Sequence, residues 1–420
     1  MPLIFLLGLI SFSTQAQYKD NFLITSKFLA DENDSNLKNP AFAEAKPVPK
    51  NPKFGKGISW MAPDSTFSTK FNLRMQHLYV ATYDQVDEDW SSQFLVRRAR
   101  LKWGGFALSP KLEYKVELGL SNRDISVNSE DGNTRDGSRI ILDMVLKWKF
   151  AKNWALWVGQ TKLPGNRERV ISSANLQFVD RSLVNSRFNI DRDAGIQLRG
   201  KMMLGESAYI SPSFAISQGE GRNITSNNFG GYNYTVHLDI LPTGKFAGKG
   251  DYVAADLERE ETPKIAFGLT YDYNDGAVRQ GGQLGSFVYN DQNVYAENSL
   301  SSFIADMIFK YRGLSIASEY ATRSADLDLQ NLSRGFRTGD GFVVQAGYVF
   351  PSNIEISGRY TTIRRDNDLS GISDTNEITF GLSRYIVKHS LKVQTDISKI
   401  TAPGESDGDI RFRAQVEMQF

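Results

Sequence analysis

Cysteine is absent from this chain of 420 residues, so neither a thiolate metal centre nor a disulfide framework is open to it. An excess of one charge is missing too. The 49 Lys and Arg residues stand against 48 Asp and Glu, for a net charge of +1, and a nucleic-acid partner finds no global basic field. Beyond the N-terminus no apolar run approaches the roughly 20 residues that a membrane helix needs. That excludes a helical membrane protein but leaves a transmembrane barrel open, because lipid-facing residues fill only every second position of its strands. Histidine is scarce: His77 shares a face with Met75 and Tyr79, His237 alternates with Val236 and Leu238, and His389 sits in the turn Lys388-His389-Ser390. Neighbours on a strand point to opposite faces, so His389 and Ser390 make no nucleophile and base. No catalytic residue, metal ligand or cofactor site is assigned, and an enzyme is not expected.

At the start, Met1 to Ala16 carries the apolar run Leu3-Ile4-Phe5-Leu6-Leu7-Gly8-Leu9-Ile10 and ends in Thr14-Gln15-Ala16, which suits signal-peptide cleavage before Gln17. Residues 17–65 are polar and punctuated by Pro40, Pro47, Pro49, Pro52 and Pro63, and read as a flexible periplasmic arm. From Thr66 to Phe420 a period of two takes over. Phe67, Phe71, Leu73, Met75, Tyr79 and Tyr83 share one face, opposite Lys70, Asn72, Arg74 and Gln76. Leu95, Ala99, Leu101 and Trp103 oppose Arg98, Arg100 and Lys102 in the next strand, and Leu142, Met144, Leu146, Trp148 and Phe150 oppose Asp143, Lys147 and Lys149 further on. Charges on the second face exclude a sheet packed on both sides.

Counting such segments gives about sixteen strands, an even number within the range of bacterial outer-membrane barrels. Tight links such as Ala151-Lys152-Asn153, Arg312-Gly313 and Pro351-Ser352 alternate with long polar ones near 122–138, 218–231, 275–300 and 325–339, as expected for short periplasmic turns and long outer loops. The link from Pro242 to Thr262 is too long for its assigned short side. The last strand sets Ile410, Phe412, Ala414, Val416, Met418 and terminal Phe420 on one face, opposite Arg411, Arg413, Gln415, Glu417 and Gln419. A soluble β-sandwich explains so many charge-bearing strands poorly. The expected fold is all-β, a transmembrane antiparallel barrel of about 16 strands.

Several stretches together resemble the phosphate-selective porin O and P family: Phe94-Leu95-Val96-Arg97-Arg98-Ala99-Arg100, Val158-Gly159-Gln160-Thr161-Lys162-Leu163-Pro164, Asp193-Ala194-Gly195-Ile196-Gln197-Leu198, Phe309-Lys310-Tyr311-Arg312-Gly313-Leu314-Ser315 leading to Glu319-Tyr320, and Val344-Gln345-Ala346-Gly347-Tyr348. The resemblance implies a Gram-negative outer-membrane porin, commonly a homotrimer, set in outer-membrane lipid and lipopolysaccharide. It further implies a third extracellular loop, here Leu163 to Asp191, folded inward to narrow the pore, and passive diffusion of small anions such as phosphate.

A pore selects by rings of charge and by bore. Arg98, Arg100 and Lys102 project from one face at a spacing of roughly 7 Å, and Arg74 points the same way by parity. With Arg167, Arg169 and Arg187 from the excursion, they are the candidate anion-binding strip, because a guanidinium offers planar donors to phosphate oxygens and stays charged. In the competing reading the lumen cations pair with Glu113, Glu117 and Asp143, as in a general diffusion porin. A third possibility is a plugged structural or adhesive surface barrel. Arg97 has the wrong parity for the lumen and is expected to snorkel or sit at a subunit contact. Trp148, Trp154 and Trp157 suit an interfacial aromatic girdle, and Asp366 to Asp374 suits a solvated loop better than a calcium site.

Overall fold

A computed structural model of the protein describes residues 53–125, 139–224 and 228–420. The expected signal peptide and most of the expected arm lie outside the described residues. The tail of that arm holds a short strand, β1 (Ile58–Met61), laid antiparallel on β2 (Phe67–Asp84). There follow β3 (Asp89–Ala107), β4 (Ser109–Gly119), the single turn α1 (Asn122–Ile125), β5 (Ile141–Ala151) and β6 (Trp154–Lys162). After the central segment come β7 (Arg192–Gly200), β8 (Met202–Leu204), β9 (Ala208–Ser217), β10 (Asn233–Leu241), β11 (Lys264–Ala277) and β12 (Asn298–Tyr311). The chain ends through β13 (Leu314–Ala325), β14 (Gly339–Val349), β15 (Ile354–Arg365), β16 (Thr375–Val387), β17 (Leu391–Thr401) and β18 (Asp409–Gln419).

Every pairing is antiparallel between sequence neighbours, apart from the contact of β7 with β9 past the short β8 and the pairing of β18 with β2 that closes the ring. Setting aside β1 and β8, sixteen strands form a closed barrel, as the period-two pattern predicts. Closure removes both sheet edges, so each of the sixteen strands has a neighbour on either side.

β16 illustrates the alternation. Glu377, Thr379, Ser383 and Tyr385 are buried inside, while Ile378, Phe380, Leu382 and Ile386 are exposed outside. An apolar outer band is the pattern of a barrel whose outer face meets lipid.

Two of the bulges in the ladder shift parity where the sequence reading depended on it. Between β2 and β3, Gln76 pairs with Arg98 and His77 with Val96, so Arg97 is an extra residue in the ladder. An extra residue turns two consecutive side chains to one face. Arg97 is therefore only 6% exposed and points inward beside Arg98, which corrects its expected place on the outer face. The inversion carries upstream: Phe94 and Val96 face out, and Leu95 pairs with buried Leu78. Between β4 and β5 a similar shift at Glu117 and Leu118 makes Leu142 the extra residue, and Leu142 is buried rather than outward.

The interior also holds apolar contacts that alternation alone does not reveal. Leu163, Val184, Phe188 and Ile190 of the central segment pack with Ala215, Ile304, Ala321, Val343 and Ile363 from β9, β12, β13, β14 and β15. Burying each such large side chain contributes about 1.5–3 kcal/mol.

Candidate functional site

The segment from Leu163 to Asp191 carries α2 (Arg167–Val170), a 3₁₀ turn at Ser173–Asn175 and α3 (Leu183–Phe188). Ser182 caps α3: its hydroxyl accepts from Asn185 N at 3.1 Å, while Glu168 takes the Ser182 backbone N–H at 2.8 Å. These helices are too short to hold themselves, and inward-facing groups of the wall hold them. Asn166 donates to Glu319 of β13 at 2.8 Å, and Arg167 reaches Asp306 of β12 and Asp239 of β10, both at 2.6 Å. Gln177 donates to Glu355 of β15 at 2.6 Å, and Val179 N to Asp396 of β17 at 3.1 Å. Two inward glycines allow close approach: a Cβ on Gly341 would meet the Phe188 ring at 3.0 Å, and one on Gly381 the Phe178 ring at 3.1 Å.

Between this segment and the wall formed by β3, β4 and β18 lies a cavity of about 620 Å³. Thirteen basic side chains line it, against four carboxylates: Glu117, Asp124, Asp180 and Asp191. A chain with a net charge of +1 thus concentrates positive charge in one interior space.

The carboxylates organise this charge. Glu117 sits 3.3 Å from Arg100, 3.5 Å from Lys102 and 3.1 Å from Lys115. Asp143, just outside the cavity, takes Arg192 at 2.8 Å and Lys115 at 2.5 Å. Asp180 lies between Arg97 at 2.5 Å and Arg98 at 3.1 Å. Burial pushes the Asp180 carboxyl up, but the guanidiniums of Arg98 and Arg97 outweigh it and hold the group well below the usual carboxylate range. Asp191 pairs with Arg169. Other cations find backbone carbonyls: Lys162 donates to Arg169 O at 2.6 Å, Arg181 to Ile171 O at 2.6 Å, and Arg222 to Asp124 O at 3.1 Å. A carbonyl satisfies a donor without cancelling its charge, so these positions keep their field.

Of the seven residues singled out by sequence, Arg98, Arg100, Lys102 and Arg169 line the cavity. Arg74 does not: it is 1% exposed and held by Glu417 at 2.6 Å and Ser173 at 2.7 Å. Arg167 is spent on Asp306 and Asp239, and Arg187, whose side chain is exposed, is not among the lining residues. Parity placed Arg411 and Arg413 on the inner face without identifying them as cavity residues, and Arg97 is supplied by the bulge. Lys115, Lys162, Arg181, Arg192, Arg222 and Arg337 complete the basic lining. Trp148 is exposed on the outer face, whereas Trp157, expected in the same girdle, faces inward with Lys147 3.8 Å and Arg199 4.2 Å from its ring. His389 has its Nε2 3.0 Å from Ala254 O.

A closed sixteen-strand barrel with an apolar exterior and a charged interior defines the class of outer-membrane porins. The model of phosphate-selective porin O and P matches residues 69–406, and the chain belongs to that family. An uncharacterized protein of Aquifex aeolicus is 23% identical over 357 residues, covering 78% of this chain and 80% of that one. Among solved structures, an anion-selective porin from Comamonas acidovorans is similar with a TM-score of 0.51 at 11% identity, covering 84% of this chain and 100% of that one. The trimer form of OmpT from Vibrio cholerae gives 0.52 at 11% identity, with the same coverage. At these identities the structural likeness concerns the fold. The chain is a porin, a channel rather than an enzyme.

Proposed function

We propose that this porin conducts small hydrophilic anions, phosphate among them, through the basic cavity, with the segment 163–191 folded into the lumen as its constriction. The carrying observation is the imbalance of thirteen basic to four acidic side chains in a cavity of a nearly neutral chain. Anions are drawn in by this field and handed between neighbouring cations, of which Arg98, Arg100, Lys102 and Arg169 are the first candidates; conduction needs several such sites, none too tight. A trimer in outer-membrane lipid and lipopolysaccharide is the assembly that the family and the trimeric neighbour favour. The pairing of Glu117 and Asp143 with lumen cations favours a second reading, a general diffusion porin with little preference.

The test is the reversal potential of purified protein in a planar bilayer under a salt gradient, repeated with phosphate added. Anion selectivity with current blocked by phosphate supports the first reading. Weak selectivity without block leaves the general porin, and absence of any steady conductance would restore the plugged barrel.

A further inference from the structure

At the short-turn end, the connections at 152–153, 312–313, 350–353 and 388–390 are brief, but β10 and β11 are joined by residues 242–263. The ladder on both sides of this connection is regular, from Leu238 with Leu269 to Ile240 with Phe267. Its length is therefore an insertion and not a register error, which resolves the mismatch seen in the sequence.

The insertion crosses the barrel end. Gly313 N donates to Asp256 at 2.7 Å, Arg259 donates to Val349 O at 2.6 Å, and Glu258 pairs with Lys388 at 2.6 Å. Those partners lie at the ends of β12, β14 and β16, so the insertion reaches past six of the sixteen wall strands, from the β10–β11 connection to the β16–β17 turn. Its middle meets the central segment. Ala254 N donates to Asn175 O at 2.9 Å, and Asp251 O accepts from Arg167 at 2.9 Å. The Tyr252 ring lies 4.8 Å from the Arg167 guanidinium while its hydroxyl donates to Asp239 at 2.5 Å. Buried Lys310 donates to Val253 O and Ala255 O, at 2.7 and 2.6 Å, fixing the backbone on either side of Ala254.

We propose that residues 242–263 are a strut that positions the constriction segment from the periplasmic end, so that bore and selectivity are set by the two segments together. The proposal rests on the porin reading above. Two helices of four and six residues cannot stiffen the central segment, and the strut supplies it a backbone bond, a carbonyl for Arg167 and a ring beneath that charge. Tyr252, Asp251 and Ala254 are positioning residues: they act through Arg167 and Asn175.

The experiment uses the full chain in planar bilayers with chloride salts. Ala254→Pro removes the N–H given to Asn175, and Val253, at φ −131° and ψ 128°, already has the extended backbone that precedes proline comfortably. Combined with Tyr252→Ala, it is expected to raise single-channel conductance and move the reversal potential toward zero. Tyr252→Phe keeps the ring under Arg167 and should conduct as the parent does. Tyr252→Ala alone, should the double variant fail to fold, is expected to change both readouts in the same direction by less. Folded variants, by circular dichroism and protease resistance, that keep the parent conductance and reversal potential overturn the strut. A parent protein without conductance overturns the porin reading itself, a distinct outcome.

Discussion

Arg98 and Arg100 illustrate how one residue type divides its work within two positions. Arg98 shares Asp180 with Arg97, whereas Arg100 shares Glu117 with Lys102 and Lys115. Each carboxylate therefore meets more cations than it can cancel. Replacing both arginines, Arg98→Ala with Arg100→Ala, should lower the permeability of anions relative to cations; an unchanged reversal potential would sink the cationic strip. A carboxyl outside the spanning strands behaves differently. Glu220, in the loop after β9, has its pKa pushed up to about 7 by burial, although the Phe229 N–H at 3.2 Å pulls the other way. The folded protein therefore holds this proton between about 4.5 and about 7 while the unfolded chain releases it. Stability falls as pH rises through that window. Thermal unfolding followed from pH 4 to pH 8 should show this decline, and Glu220→Gln should make the profile flatter.

At the scale of elements, alternation made nearly every strand legible, because a barrel wall between lipid and a charged lumen imposes a period of two. What it could not reveal were the exceptions. Arg97 and Leu142 were misplaced because a bulge adds a residue without leaving a mark in the hydrophobic pattern. Ile304, Val343 and Ile363 sit on inward positions because the central segment brings its own apolar side chains to them. The pattern that places residues in a wall carries no information about a segment that packs on its inner face. Phe188 is where this contact can be measured. Phe188→Ala removes a ring packed against Val184 and the inner faces of β13 and β14 and should destabilise the protein by about 3–5 kcal/mol, with noisier open-channel current as the segment loosens. On the outer face, Leu382→Arg in β16 should lower stability by about 2–4 kcal/mol if it lies near the bilayer midplane, a difference readable by denaturant titration in lipid vesicles. An outer-face arginine with no effect would mean that this side of β16 meets something other than lipid.

Across the whole molecule, near neutrality conceals a separation of charge. Acids inside β10 and β12 pair with the central segment, as Asp239 and Asp306 do with Arg167, while basic residues gather along β3, β4 and β18, where Asp396 and Glu377 reach across to Arg413 and Arg411. The net charge of the sequence therefore carries no information on anion preference, since composition sums over partners that only folding assigns. The separation has a measurable consequence in salt. A field made by many fixed cations around an aqueous space is screened over about 10 Å at 0.1 M ionic strength and about 3 Å at 1 M. If attraction by this field is what prefers anions, the permeability ratio obtained from reversal potentials at a fixed gradient should fall toward unity as total chloride salt rises over that range. If anions instead bind by direct, bidentate contact with guanidinium groups, the ratio should hold at high salt and current should saturate with anion concentration. The lining favours the field, because most of its cations already hold a carboxylate or carbonyl on their donor edges. A ratio that persists at 1 M would shift the selective element from the cavity as a whole to individual arginines, and would make Arg100 and Arg411, whose Nε atoms lack a partner among the described residues, the first to replace.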